Sequence, residues 1–367
     1  MSCDAIGLAK PHIQQLQPYQ PGKSIDEIQR ELGLEHIIKL ASNENPIGLS
    51  DKVKASLMQS INELTRYPDS SYLKLTQKLA ENEGVKPEQI TLGNGSNEIL
   101  DLLALCFLTG ASSAVYSEHG FIVYPIAIQT QGARKIEVPA KDYGHDLAAM
   151  LQAIESDTKL IFIANPNNPT GTWFNEASFI DFMQQVPQEV IVVLDEAYAE
   201  YIEPEFQFDI ATLIARFTNL VVTRTFSKAY GLAGFRVGYS VSHADIANLL
   251  NRVRAPFNIN QLAYQAAIAV LDDSEYLAQA IAVNLKGMQQ LEQGFISLGL
   301  DFIKSKANFI TFDTKTNATA LFQSLLEEGV IVRPIGVYGL PQHLRVSIGL
   351  EHENRQFLDT LARLIQR

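Results

Sequence analysis

Cysteine is scarce: Cys3 and Cys106 are the only two in 367 residues. They lie far apart, one in a polar tail and one in an apolar helical stretch, so no disulfide is expected and a reducing compartment fits best. Long apolar runs are also missing. No segment approaches the ~20 apolar residues of a membrane helix, and MSCDAIGLAKPHIQQLQPYQPG contains nothing like a signal peptide's apolar stretch. A cytoplasmic protein is the expectation. Positive charge is in deficit, with 29 Lys and Arg against 41 Asp and Glu and a formal net charge of −12. That excludes a broad nucleic-acid surface, though it leaves room for a local positive pocket around a small anion. The seven histidines are scattered, and His352-Glu353 lacks the second histidine of a zinc helix, so no metal is expected. There is no dinucleotide fingerprint either, because GNGSNE (93–98) breaks G-x-G-x-x-G at its last position.

What is present is alternation. Apolar runs at 113–116, 160–164, 190–194 and 220–223 read as buried strands separated by helical segments, which implies right-handed crossovers and a mostly parallel sheet. The stretch 51–64 carries a helical stripe of Val53, Leu57, Ile61 and Leu64 with Ser50 as N-cap. EQITLGNGSNEIL reads as strand, glycine turn and a helix from Ser96. After Pro256 the pattern becomes α+β: helical stretches at 261–271 and 276–298, short strands in ANFITFDT, GVIVRPI and HLRVSIG, then a last helix. The fold class expected is α/β, a large domain with a helix-flanked sheet plus a smaller α+β domain.

In such a sheet, ligands bind beyond the carboxyl ends of the strands. Three consecutive runs end there in NPNNPTG (165–171), DEAYAEY (195–201) and RTFSK (224–228). They bring Asn168, Asp195 with Tyr198, and Lys228 to one edge. The GNGSNE turn adds a helix N-terminus suited to a phosphate. A lysine can form a Schiff base with an aldehyde cofactor, and a buried carboxylate can hold a pyridinium N–H so that the ring stays an electron sink. Asparagine and tyrosine can bind the ring's phenolic oxygen. Ser96, Ser227 and Arg236 can hold a phosphate. That inventory describes pyridoxal 5′-phosphate. Taken singly, each residue has a plainer reading: Asp195 as an N-cap, Asn168 as a turn former, Arg236 as an ion-pair partner, Phe121 as core.

NPNNPTG, DEAYAEY and SKAYGLAGFRVGY, in this order, resemble the fold-type I aminotransferases. Within them the chain is similar to the histidinol-phosphate aminotransferases, through PYQPG, LASNENPIG, RYPD, GNGSNEIL, ANF and HLRVSIG as well. The resemblance implies residues 1–45 as an N-terminal arm and part of the small domain, 46–256 as the large cofactor-binding domain, and 257–367 as the small domain. It implies Lys228 as Schiff-base lysine and proton shuttle, Asp195 on the pyridine nitrogen, and Asn168 and Tyr198 on the phenolic oxygen. Gly95, Ser96, Asn97, Ser227 and Arg236 would hold the phosphate, Phe121 would stack on the ring, and Arg345, Arg333 and Tyr19 would meet substrate. Tyr67 would reach the phosphate of the neighbouring subunit's cofactor, which makes a homodimer the expected assembly. The implied activity is transamination of histidinol phosphate with 2-oxoglutarate in histidine biosynthesis. An aromatic amino acid aminotransferase is the alternative, and a decarboxylase of a phosphorylated amino acid or a nucleotide-binding module are more distant ones. One stretch departs from the family: SEHGFIVYP (117–125) stands where a proline-threonine-aromatic sequence is commoner.

Overall fold

The computed structural model describes residues 3–17, 25–34 and 36–366. A two-residue strand β1 (Ile38–Lys39) opens the sheet structure. Seven strands then form the large sheet: β2 (Ile90–Gly93), β3 (Ser113–Ser117), β4 (Arg134–Val138), β5 (Thr158–Ala164), β6 (Ile191–Asp195), β7 (Leu220–Thr225) and β8 (Gly238–Ser242). Their order across the sheet is β2-β8-β7-β6-β5-β3-β4. Strands β3 to β7 are mutually parallel, while β8 runs antiparallel to both β7 and β2. The α/β class and the largely parallel, helix-flanked sheet are as the alternating runs imply.

The central strands carry apolar runs on both faces because both faces are covered. On β5, Ile161 and Ile163 enter one core while Leu160, Phe162 and Ala164 enter the other. Likewise β6 sends Val192 and Leu194 to the first core and Ile191 and Val193 to the second. Two strands carry no such signal. Edge strand β4 is RKIEV with one buried residue, and β8 is GYSVS, small and polar although fully buried.

Helix starts follow local chemistry. Ser50 Oγ accepts from the N–H groups of Lys52 and Val53 at the start of the helix Asp51–Ser60, which satisfies two of the donors a helix N-terminus leaves open. Helix Gln261–Leu271 is capped by Asn260 and packs its Ala263, Ala266, Ala267 and Val270 into the first core. The long helix Ser274–Leu298 leaves that core at Tyr276 and joins another through Met288, Leu291 and Phe295.

This further core belongs to the smaller domain, whose strands are β9 (Phe302–Ile303), β10 (Phe309–Asp313), β11 (Val330–Ile331), β12 (Arg333–Pro334) and β13 (His343–Ser347). The order β12-β13-β10-β9 is antiparallel, and β11 pairs separately with β1 in parallel. Leu40, next to β1, also packs here, so the chain's early residues are tied to its late ones. Among the described residues, no helix is long and apolar enough to cross a membrane, and no group of three or more His, Cys, Asp or Glu is placed to hold a metal.

Candidate active site

The carboxyl ends of β5, β6 and β7 lie side by side because these strands are neighbours in the sheet. They open onto a cleft of about 390 Å³ that also takes walls from the smaller sheet, a size suited to a small-molecule cofactor. Of the residues expected at the site, Ser96, Asn97, Phe121, Asn168, Asp195, Tyr198, Ser227, Lys228, Arg236, Arg333 and Arg345 all line this one cleft. Gly95 sits immediately beside it as the N-cap of the helix Ser96–Phe107.

Asp195 is the last residue of β6 and is 5% exposed. Tyr124 Oη donates to one carboxylate oxygen at 2.8 Å, and Thr223 Oγ1, its register partner on β7, donates to the other at 3.0 Å. Burial pushes the carboxyl's pKa up, while these two hydrogen bonds and the nearby Lys228 charge act against that push. Its neighbour Glu196 takes the opposite face of the strand. There Arg224 donates to it through Nε at 3.2 Å and Nη2 at 2.8 Å, and reaches Glu83 at 3.5 Å. Burial pushes the carboxyl of Glu200 up to about 7 in the same neighbourhood, where Arg224 lies close enough to oppose the shift.

Lys228 follows β7. Its Nζ donates to the Ser42 carbonyl at 3.3 Å and lies 5.8 Å from the centre of the Tyr198 ring. Burial first, then the charge of Arg345, lowers its pKa to about 8. A sizeable neutral fraction is therefore present near physiological pH, as a nucleophile or base requires. The Tyr198 hydroxyl accepts from Asn43 Nδ2 at 3.0 Å, and burial pushes its pKa up to about 12.

One end of the cleft is built for an anion. Gly95 has φ +77° and the helix it caps has no side-chain cap, so its first N–H groups have no side-chain acceptor. A Cβ on Gly95 would stand 2.3 Å from Arg236 Nη2, and one on Gly238 would stand 2.5 Å from the Ser96 nitrogen. Only glycine permits this close cradle. Arg236 closes it, donating to Ser227 Oγ at 3.2 Å.

At the other end Arg345, 6% exposed on β13, donates to Asn168 Oδ1 at 2.5 Å and to the Ala41 carbonyl at 2.8 Å. Arg333 lies opposite it in register on β12. Phe121 meets Tyr124 edge-on with ring centres 5.8 Å apart. Tyr67 is not brought to the cleft: it is 81% exposed and stacks on Phe257 at 4.6 Å. Tyr19 lies outside the described residues.

The partners of the predicted residues were not legible beforehand. Tyr124 sits inside an apolar helical stretch that reads as core, and Asn43 lies in LASNENPIG with no spacing that points at residue 198. A carboxylate held by two donors, a lysine of lowered pKa and a glycine-arginine anion cradle around one cleft together fit pyridoxal phosphate: a ring nitrogen, an aldehyde and a phosphate each find a counterpart.

Comparison with known proteins agrees. The family described as aminotransferase class I and II matches residues 35–361. A histidinol-phosphate aminotransferase of Pseudomonas fluorescens (strain Pf0-1) is 55% identical over 369 residues, covering 100% of each chain. One from Idiomarina loihiensis is 51% identical, covering 98% of each. A crystal structure of histidinol-phosphate aminotransferase from Sinorhizobium meliloti in complex with pyridoxal-5′-phosphate superposes with a TM-score of 0.92 at 29% identity, covering 100% of this chain and 99% of that one. Aspartate aminotransferase from Thermus thermophilus shares the fold, with a TM-score of 0.84 at 21% identity over 97% of this chain and 99% of that one.

Proposed function

The chain belongs to the class I and II aminotransferase family, and on that premise we propose that it transaminates histidinol phosphate with 2-oxoglutarate, using pyridoxal 5′-phosphate, in histidine biosynthesis. The products are imidazole-acetol phosphate and glutamate. The observation that carries the substrate is the end-to-end likeness to enzymes named for histidinol phosphate. The aromatic amino acid alternative is not favoured by those relatives.

When bound, pyridoxal phosphate supplies an aldehyde carbon and a ring that accepts the electron pair of a substrate Cα–H bond. The chain's residues do the rest. Lys228 would hold the aldehyde carbon, and its flexible amine, placed to accept a proton on Nζ and give it back, would serve as the base of the transfer. Asp195, whose carboxylate form the hydrogen bonds from Tyr124 and Thr223 favour, would hold the proton on the ring nitrogen. Asn168 and Tyr198 bind the phenolic oxygen. The backbone at Gly95, the side chains of Ser96, Asn97 and Ser227, and the Arg236 guanidinium hold the phosphate. Phe121 covers one ring face.

Both substrates are anions, and Arg345 and Arg333 are the cations that meet them in turn. The large-sheet region 46–256 thus holds the cofactor, and 257–367 supplies the substrate arginines. We place the enzyme in the cytoplasm as a homodimer. Tyr67, Met58, Ile61 and Leu64 are exposed apolar or aromatic residues, and a second copy would cover them and bring Tyr67 to the neighbouring phosphate.

An absorption titration tests the reading. Histidinol phosphate is expected to bleach the visible band of the cofactor-loaded protein at lower concentration than phenylalanine does. A preference for phenylalanine would overturn the substrate, and failure to take up pyridoxal phosphate would overturn the whole assignment.

A further inference from the structure

The stretch that departs from the family, SEHGF, has a place in the fold that the transfer chemistry does not account for. His119 lies between β3 and the cleft residue Phe121, and is 7% exposed. Its ring Nδ1 is 2.7 Å from the backbone carbonyl of Tyr338, 219 residues away in the smaller domain. A carbonyl can only accept, so Nδ1 carries the ring proton and donates it. On its other side the residue is anchored to the strand-end loop, because Asn167 Nδ2 donates to the His119 carbonyl at 2.9 Å. Tyr338 lines the same cleft.

The contact is part of a seam. Ile122 packs against Ile335, Tyr338 and Leu340. The turn that carries Tyr338 ends at Gly339 with φ +78°, and a Cβ there would stand 3.6 Å from Glu118 Oε1 and from His119 Cε1. The 118–122 loop of the large domain thus lies directly against the 335–340 turn of the small one, and both carry a wall of the cleft. A proline-threonine pair directly before the aromatic, at 119–120, would have no side-chain N–H to offer that carbonyl.

We propose that His119 is a positioning residue for substrate, a latch whose Nδ1–H fixes the Gly336–Gly339 turn and with it the Tyr338 side of the cleft. Without the latch the turn keeps its apolar packing but loses this hydrogen bond to the 118–122 loop, so it is held less firmly until substrate binds and the loss falls on substrate affinity rather than on the chemical step. The cofactor contacts are left alone, since Asp195, Lys228 and Arg236 do not touch the His119 ring. The inference rests on the proposed substrate only for its kinetic arm.

The test compares His119→Leu with His119→Asn in the cofactor-loaded enzyme. An asparagine Nδ2 falls where the histidine Nδ1 stood and can restore the donor, whereas leucine cannot. For His119→Leu we expect faster amide hydrogen exchange across 336–340, a roughly tenfold rise in KM for histidinol phosphate, kcat within about threefold of wild type, and an unchanged visible spectrum. His119→Asn should stay near wild type in all four. Unchanged exchange in the leucine variant, an asparagine variant as impaired as leucine, or loss of the cofactor band would each overturn the latch. If wild type does not turn over histidinol phosphate, the substrate reading fails while the exchange result still decides the latch.

Discussion

Removing one hydroxyl should reveal how far Tyr124 favours the carboxylate form of Asp195. Tyr124→Phe deletes the 2.8 Å bond to the carboxylate and little else. The ring stays stacked on Phe162 at 5.1 Å with planes 10° apart, so no cavity opens. A hydrogen bond to a buried charged group contributes ~1.5–3 kcal/mol. Burial already pushes the Asp195 carboxyl up, and Tyr124 is the largest influence working against it. Its loss therefore moves the pKa further up, and the acidic limb of the activity profile shifts to higher pH. If most of that energy supports the ring-nitrogen contact, kcat/KM falls roughly 10- to 100-fold near neutrality. The assay is kcat/KM for the amino donor across pH, together with the pH titration of the visible band. An acidic limb and a neutral-pH kcat/KM that both match wild type would refute the claim that Tyr124 sets the protonation of Asp195.

Three other perturbations follow from the same geometry. Lys228→Met should abolish turnover, and in cofactor-free protein it should stabilise the fold most below pH 8. There, wild type holds a buried charge whose pKa has fallen from 10.5 to about 8. The folded state then binds fewer protons than the unfolded between those values, so wild-type stability rises with pH and the gain from methionine shrinks, as urea unfolding at pH 7 and 9.5 should show. Arg224→Met leaves Glu196, Glu83 and Glu200 without their shared cation. Breaking a buried pair this way costs ~3–5 kcal/mol, and a urea midpoint equal to wild type would rule out a structural role for the cluster. Gly238→Ala would set a methyl 2.5 Å from the Ser96 nitrogen, and equilibrium dialysis should show weaker binding of pyridoxal phosphate, with unchanged affinity contradicting the anion cradle.

Much of this was local and therefore legible. Strands β5, β6 and β7 each contain an unbroken apolar run (160–164, 191–194 and 220–222) because both faces are buried there, and the polar residues that follow in NPNNPTG, DEAYAEY and RTFSK mark where a parallel sheet presents its ligands. Ser50 announces a helix because capping is a contact between near neighbours in sequence. Strands β4 and β8 escaped notice because one is a charged edge and the other small and polar. Their strand character comes from the neighbours they pair with.

The pairings that tune the site were decided only by the fold. Tyr124 meets Asp195 across 71 positions, Asn43 meets Tyr198 across 155, Arg345 meets Asn168 across 177, and His119 meets Tyr338 across 219. A sequence shows which residues are able to donate or accept. Which donor meets which acceptor depends on the strand order and on how the two domains lie against each other, and contacts at such separations leave no periodic or adjacent trace along the chain.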